Sequence, residues 1–289
     1  MMLAKRGLNM QRIRTFFFLT FLTVILVLLG SLFGKEGMII AFIFALLMNF
    51  FSYWFSDRIV LALYHCQEVK ENKYPNLFRI VGKLTQTASL PMPKIYIFPS
   101  STPNAFATGR NPQHSAVAVS TGILQILSDE EISGVLGHEL SHIKNRDVLV
   151  ATIAATIAGA ITFIARMAQW GALLGGRNRE RENPFALIGY LLMAILAPLA
   201  VFLVQMAISR NREYLADEKG AGFCGNPLYL AHALEKLSLA NKRIPMAGAN
   251  PATSHLFIVN PFSKKNIFNL FSTHPPIEER IKHLENLRL

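Results

Sequence analysis

The sequence predicts a mainly α membrane protein: four transmembrane helices joined to an α+β part with a small sheet outside the membrane. Two observations predict the membrane class. The chain has 289 residues, 52% of them hydrophobic, and its mean hydropathy of +0.33 is too high for an ordinary soluble domain. The apolar residues also gather in four runs, Phe16 to Phe33, Met38 to Phe55, Val148 to Trp170 and Phe185 to Ile208, each near the length that crosses a bilayer. A third observation predicts the sheet. Between the second and third runs, short strand-like stretches alternate with turn residues.

Charge and cysteine usage narrow the class further. The formal net charge is +11, but the basic residues cluster beside the apolar runs. That pattern fits the positive-inside bias and contact with anionic membrane lipid, so no nucleic-acid partner is expected. Cys66 and Cys224 lie far apart, in no metal or redox spacing. A reducing compartment without a disulfide framework is expected.

Met1 to Thr15 carries Lys5, Arg6, Arg12 and Arg14 and no acid. This basic flank predicts a cytoplasmic N-terminus, and hence a cytoplasmic location for everything just after Arg58. The first run is long for a signal-peptide core and is followed by no small-residue cleavage site, so it reads as a span. Gly34-Lys35-Glu36-Gly37 reads as a tight turn. The second run closes with Tyr53, Trp54 and Phe55, aromatics suited to the membrane interface. Residues 1–56 are therefore expected to form a transmembrane hairpin.

Residues 57–147 are expected to be cytoplasmic. Leu77, Ile80, Val81 and Leu84 keep helical spacing, and Pro91-Met92-Pro93 ends that helix. Lys94 to Phe98 reads as a strand. Asn104 to Thr108 is the strand-like centre of a turn-rich stretch. Ser115 to Thr121 is another strand, ended by Gly122. An edge strand here is suited to pair with an extended peptide, with Asn104, Ala105, Phe106 and Ala107 as candidates; a purely structural hairpin is the alternative.

Ser128 to Asp147 reads as a helix. Ser128 and Glu131 have capping-box spacing, Asp129 and Glu130 sit in the first turn, and Lys144 and Arg146 near the last. Gly134 and Gly137 weaken this helix, and close approach of another backbone is the expected gain. The helix carries His138-Glu139-Leu140-Ser141-His142. Residues four apart share one helix face, so two imidazoles are placed to hold one Zn²⁺ with Glu139 beside its open position.

Residues 148–208 read as a second transmembrane hairpin. The third run is rich in Ala, Thr, Ile and Gly, which suits close packing in lipid. Arg166 near its end can snorkel, and Pro198 is expected to kink the fourth run. In this topology the loop holding Arg177, Arg179 and Arg181 lies outside, against the positive-inside bias. Residues 209–289 return to helices and loops on the cytoplasmic side.

Antiparallel spans supply the missing ligand. His142 precedes Val148 by six residues and Glu213 follows Ile208 by five, roughly 9 Å and 7.5 Å along continuous helices. The two side chains should therefore meet just outside one membrane face. Asp217, one turn beyond Glu213, is the candidate to orient a metal-bound histidine, or to pair with Arg280, or both. His274 precedes Pro275 and Pro276, which fix its presentation; it reads equally as an oxyanion donor or as the start of a helix. His65, His114, His232, His255 and His283 stand in no motif and read as bystanders.

Together these motifs resemble the M48 peptidase family. The family's pattern is carried by HEXXH at His138–His142, by the stretch Arg210-Asn211-Arg212-Glu213-Tyr214 ending in Ala216-Asp217, by Asn104-Ala105-Phe106-Ala107-Thr108-Gly109 and by His274-Pro275-Pro276 with Glu279-Arg280-Ile281. Four spans and this length resemble its HtpX-type membrane proteases, relatives of CAAX prenyl proteases. The resemblance implies a cytoplasmic zincin-like α+β metalloprotease domain with one zinc ion per subunit. It implies His138, His142 and Glu213 as ligands, Glu139 as catalytic base and His274 as oxyanion stabiliser. It also implies a bacterial inner-membrane location, an active site facing the cytoplasm, and misfolded or damaged membrane proteins as substrates.

Three other readings stand beside this one. A CAAX-type processing protease shares the motifs but usually has more spans. A zinc-stabilised membrane scaffold without turnover shares the ligands and makes Glu139 dispensable. A transporter needs ionisable residues within the spans, where Asn49, Thr156 and Gln205 are uncharged. Oligomeric state is open in the sequence.

Overall fold

A computed structural model of the chain describes residues 16–17, 19–28, 30–31, 34–154, 157, 210–244, 253, 256–259 and 275–288. It is mostly helical, with one small mixed sheet. The first apolar run is helical over α1 (Leu19–Leu28) and the second forms α2 (Gly34–Leu63). Asn49 of α2 donates to Thr23 Oγ1 of α1 at 2.8 Å, a polar cross-link of the kind that joins helices in lipid. Among the described residues α2 is the helix long and apolar enough to cross a membrane. Phe42, Phe44, Leu47 and Phe50 on it are 47% to 54% exposed, a surface that water would not tolerate at this length but lipid would.

Two local details differ from the sequence reading. Residues 35–37 belong to α2 rather than to a turn. Only Gly34 takes a turn conformation, with φ of 81°, where a side chain would be strained. The helix also continues past Phe55 and Arg58 to Leu63, because Val60 and Leu61 are buried against the sheet.

The sheet runs β1 (Gln67–Glu68), β2 (Lys94–Phe98), β4 (His114–Ser120), β3 (Ala105–Asn111) from edge to edge. β2 and β4 are parallel; the outer pairs are antiparallel. Side chains alternate between two cores. Ile95, Ile97, Ala105, Ala107, Val117 and Val119 join one cluster with α3 (Pro75–Ala88) and the helices beyond. Phe98, Phe106, Ala116 and Ala118 face the foot of α2. Burial on both faces explains why these strands read as nearly continuous apolar stretches. The four residues that place α3 on the core by helical spacing, Leu77, Ile80, Val81 and Leu84, are all buried.

β1 is too short to show a pattern in the sequence. The short helix α4 (Thr121–Ile126) was also not foreseen: Ser120 Oγ accepts the Ile123 N–H at 3.1 Å and turns the chain into it, so Gly122 lies inside a helix.

α5 (Asp129–Asn145) starts with both halves of the Ser128–Glu131 capping box in place. It packs on α6 (Arg210–Cys224) and α7 (Pro227–Arg243), and α8 (Ile277–Glu285) lies across these two. The glycines explain how closely. A Cβ on Gly134 would sit 2.5 Å from Leu230 N, and one on Gly137 would sit 2.7 Å from Gly220 O. The expected continuous helix into the third run is corrected here. Arg146 takes a left-handed conformation at φ 59°, which ends α5, and helical residues resume at 148–154. The rest of the third run, the arginine loop, the fourth run and His274 lie outside the described residues.

Candidate metal centre

The site is built where α5 and α6 touch without side chains between them. Gly220 lies seven residues past Glu213 and three past Asp217, so all three share one face of α6. With Gly220 against the backbone of Gly137 and His138, that face is pressed onto α5. His138, His142 and Glu213 then come together, with one ligand atom from each within 4.8 Å of the others. His142 Nε2 lies 3.5 Å from Glu213 Oε1, and His138 Nε2 lies 3.8 Å from Glu213 Oε2. The two Nε2 atoms are 3.1 Å apart.

The outer ring nitrogens show what the inner ones must do. His138 Nδ1 lies 2.8 Å from Asp217 Oδ1, and His142 Nδ1 lies 3.2 Å from Asp147 Oδ2. Carboxylates accept, so each Nδ1 carries a proton, and the Nε2 atoms are the nitrogens left to face Glu213 and each other. A cation between the two Nε2 atoms and the Glu213 carboxylate, whether a proton or a metal ion, holds the three groups together. Tetrahedral Zn²⁺ with Zn–N of about 2.0–2.1 Å sets its nitrogens about 3.3 Å apart, close to the spacing seen. The donor set therefore fits a divalent metal.

Asp217 is locked as well as locking. Arg280 reaches it with two parallel bonds, Nε to Oδ2 at 2.8 Å and Nη2 to Oδ1 at 2.6 Å, and Arg280 is fully buried. Burial alone would raise Asp217, but the guanidinium outweighs it and holds the carboxyl below its usual range. Arg280 Nη2 also lies 3.4 Å from His138 Nδ1. Both are donors, so this approach follows from their shared acceptor. Both expectations for Asp217, the histidine and the arginine, hold at once.

Glu139 is 2% exposed. Burial pushes its carboxyl up to about 7, against the pull of His142 and the Ala107 N–H, which donates to it. Burial pulls the His142 imidazolium down, but Asp147 together with Glu213 and Glu139 outweighs it and raises the group to about 10; a metal at Nε2 takes the place of that proton. His138 is held below its usual value by burial, against the pull of Asp217. The ring of His142 keeps 17% exposure against 2% for His138, so the cluster is open on the His142 side.

Ala105, Phe106 and Ala107 lie on β3, which is an edge strand, and Asn104 immediately precedes it. Part of that edge is already paired. Ile258 N–H donates to Ala105 O at 3.2 Å, and the Asn104 amide holds Val259 through its carbonyl at 2.8 Å and its N–H at 3.4 Å. Arg280 Nη1 donates to Ile258 O at 3.1 Å. Strand alternation then turns the backbone groups of Ala107 outward, toward Glu139.

Asp147, Gly220 and the Ile258 carbonyl were missed in the sequence. Asp147 had a signal, an acid five residues after the second histidine. Gly220 had one too, small and on the Glu213 face. Ile258 had none. Cys66 and Cys224 are both free. His283 pairs with Glu218 at 2.9 Å and His114 with Asn111 at 3.0 Å, away from the cluster.

Comparison with known proteins places this geometry among relatives. The model of peptidase family M48 matches residues 71–288. A protease HtpX homolog of Syntrophobacter fumaroxidans is 54% identical over 280 residues, covering 96% of this chain and 99% of the relative. One from Thermodesulfovibrio yellowstonii is 56% identical, covering 96% and 98%, and one from Thermococcus sibiricus 53%, covering 97% of each. The crystal structure of S. mikatae Ste24p is similar in fold, with a TM-score of 0.52 at 17% identity, covering 99% of this chain and 67% of that one.

Proposed function

Because the chain belongs to peptidase family M48, and is thereby a membrane-bound metalloprotease acting on protein substrates, we propose the metal, the residue roles and the membrane arrangement that follow. The observation that carries the reading is the convergence of His138, His142 and Glu213, with each histidine backed by a carboxylate.

The metal is one Zn²⁺ per subunit, held by His138, His142 and Glu213. Two imidazoles and a carboxylate are a usual catalytic zinc set. When bound there, zinc polarises a peptide carbonyl and lowers the pKa of a water toward about 7. Glu139 accepts the proton of the attacking water and hands it to the leaving amine. Its burial favours holding the proton between the two transfers, because loss of solvation raises the carboxyl. Asp217, fixed by Arg280, holds His138 in the tautomer that ligates. Ala107, whose N–H is taken by Glu139, offers its outward carbonyl to an extended peptide. Ala105 and Asn104 are engaged by residues 258 and 259, so the peptide pairs from Ala107 onward. His274 retains the oxyanion role that the family resemblance implies.

The chain divides into a membrane hairpin at 1–56, a protease part at 57–147, a second hairpin at 148–208 and a part at 209–289 that carries the third ligand. It sits in the bacterial inner membrane with the site in the cytoplasm, and cuts misfolded or damaged membrane proteins. Support for a site at the membrane surface comes from Arg110 of β3, whose guanidinium stacks 4.7 Å over the ring of Trp54 in α2. That contact ties the peptide-pairing strand to the membrane helix.

The test is Glu139→Gln in detergent, with casein cleavage and bound metal measured together. Loss of cleavage with zinc retained is expected. Cleavage at the wild-type rate with zinc bound removes Glu139 from the mechanism.

A further inference from the structure

His138 and His142 are held by different means. Asp217, the partner of His138, is neutralised by Arg280. Asp147, the partner of His142, is 5% exposed, and no lysine or arginine pairs with it among the described residues. Its Oδ2 meets His142 Nδ1, while its Oδ1 is buried without a hydrogen-bond partner. An interior carboxylate with one oxygen idle is costly, so its placement calls for a reason.

The backbone holds it there from both sides. Arg146, in the left-handed conformation, ends α5 and turns the chain back. Asp147 then opens the next helical stretch, its carbonyl accepting Ala151 N–H at 3.2 Å. In that stretch Thr152 Oγ1 lies 3.3 Å from Thr108 Oγ1 of β3 and donates to Val148 O at 2.7 Å. The Asp147 side chain thus reaches across the helix break to one histidine, while the helical stretch it opens meets β3 through Thr152 and Thr108.

We infer that Asp147 is a positioning residue of the metal centre. It accepts the Nδ1–H of His142, leaves Nε2 with its lone pair, and turns the ring toward Glu213. It thereby links one ligand to the chain that enters the third apolar run. The competing role is that of a cap for the helix at 148–154, since Asp is favoured at helix starts. The inference rests on His142 being a ligand, so the experiment includes His142→Ala.

The decisive variant is Asp147→Ser, made in the full chain in detergent. Serine caps a helix as well as aspartate does, but its shorter side chain does not reach the ring. Zinc affinity is measured by competition with a chromophoric chelator, and the visible absorption of the cobalt-loaded protein reports the ligand geometry. Asp147→Ser should weaken zinc by about 10-fold to 100-fold and alter the cobalt spectrum, with the melting temperature of the metal-free protein unchanged. Asp147→Asn, whose amide oxygen accepts the same bond, should recover most of the affinity and the spectrum. Wild-type zinc affinity and cobalt spectrum in Asp147→Ser overturn the inference. So does a lowered metal-free melting temperature with affinity intact, which assigns Asp147 to the cap alone. Unchanged affinity in His142→Ala instead overturns the ligand reading. Should Asp147→Ser not fold, Asp147→Thr, which also caps but falls short of the ring, takes its place: weakened zinc with an altered cobalt spectrum supports the inference, and wild-type affinity and spectrum overturn it.

Discussion

At the scale of single residues, the site is a chain of fixed charges. Arg280 holds Asp217, Asp217 holds His138, and His138 faces His142 and Glu213. Arg280 is the largest fully buried side chain among the described residues, and it also bonds the Ile258 carbonyl. Removing one partner of a buried ion pair leaves the other charged in the interior, a loss of about 3–5 kcal/mol. Arg280→Met, which keeps much of the volume, should therefore lower stability by about that amount and weaken zinc binding, read as thermal melting with and without the metal. A melt within error of wild type would mean that Asp217 finds another counter-charge. Arg280 was legible in the sequence only as a possible partner of Asp217. Its full burial was not, because most arginines keep their charge in water, and nothing local in residues 277–285 announces the exception.

At the scale of elements, two glycine substitutions on helices should act in opposite directions. Gly137 faces the carbonyl of Gly220, and a Cβ there would lie 2.7 Å from that oxygen, a backbone atom that cannot swing aside. Gly137→Ala gains up to about 1 kcal/mol of helix propensity and loses about 1–3 kcal/mol to overpacking. It also pushes α6, with Glu213, away from α5, so zinc affinity should fall together with stability. Gly82 on α3 has nothing within 4 Å of its missing Cβ, so Gly82→Ala should raise stability by about 0.5–1 kcal/mol. Thermal unfolding of the pair checks this, and a stabilised Gly137→Ala would show that the helices have room to separate. Much of this level was readable beforehand. The Ser128–Glu131 box, the α3 spacing and the three longer strands are local patterns, and they formed near the expected places, though β3 runs on through Gly109, Arg110 and Asn111, which read as turn. The break at Arg146 was not readable. Nothing at Asn145-Arg146-Asp147 is a strong helix stop, since non-glycine residues seldom adopt the left-handed conformation. The pull of Asp147 toward His142, five residues back, is local but follows no standard capping pattern.

At the scale of the whole molecule, the membrane arrangement follows from what α2 touches. Its apolar faces are exposed along most of its length, while its last turns are buried against β2, β3 and residues 256–257. There Tyr64, Phe98, Phe106 and Phe257 pack ring to ring at 5.0 Å to 6.3 Å. The sheet is thus seated on the end of the long apolar helix α2, with the Trp54–Arg110 stack at the junction. If the third and fourth runs also cross, the loop with Arg177, Arg179 and Arg181 lies on the far side, against the positive-inside bias; Glu180 and Glu182 offset it little, because acids count weakly in that rule. The first hairpin, with its basic N-terminal flank, should dominate the orientation. A reporter active only outside the cytoplasm, fused at Asn178, should then be active, and one active only inside should be silent. The reverse result would mean that residues 148–208 enter the membrane and return on the same side. His142 and Glu213 would still meet in that case, since both ends of the hairpin stay on one face, so the metal centre survives either topology and only the four-span arrangement is at stake.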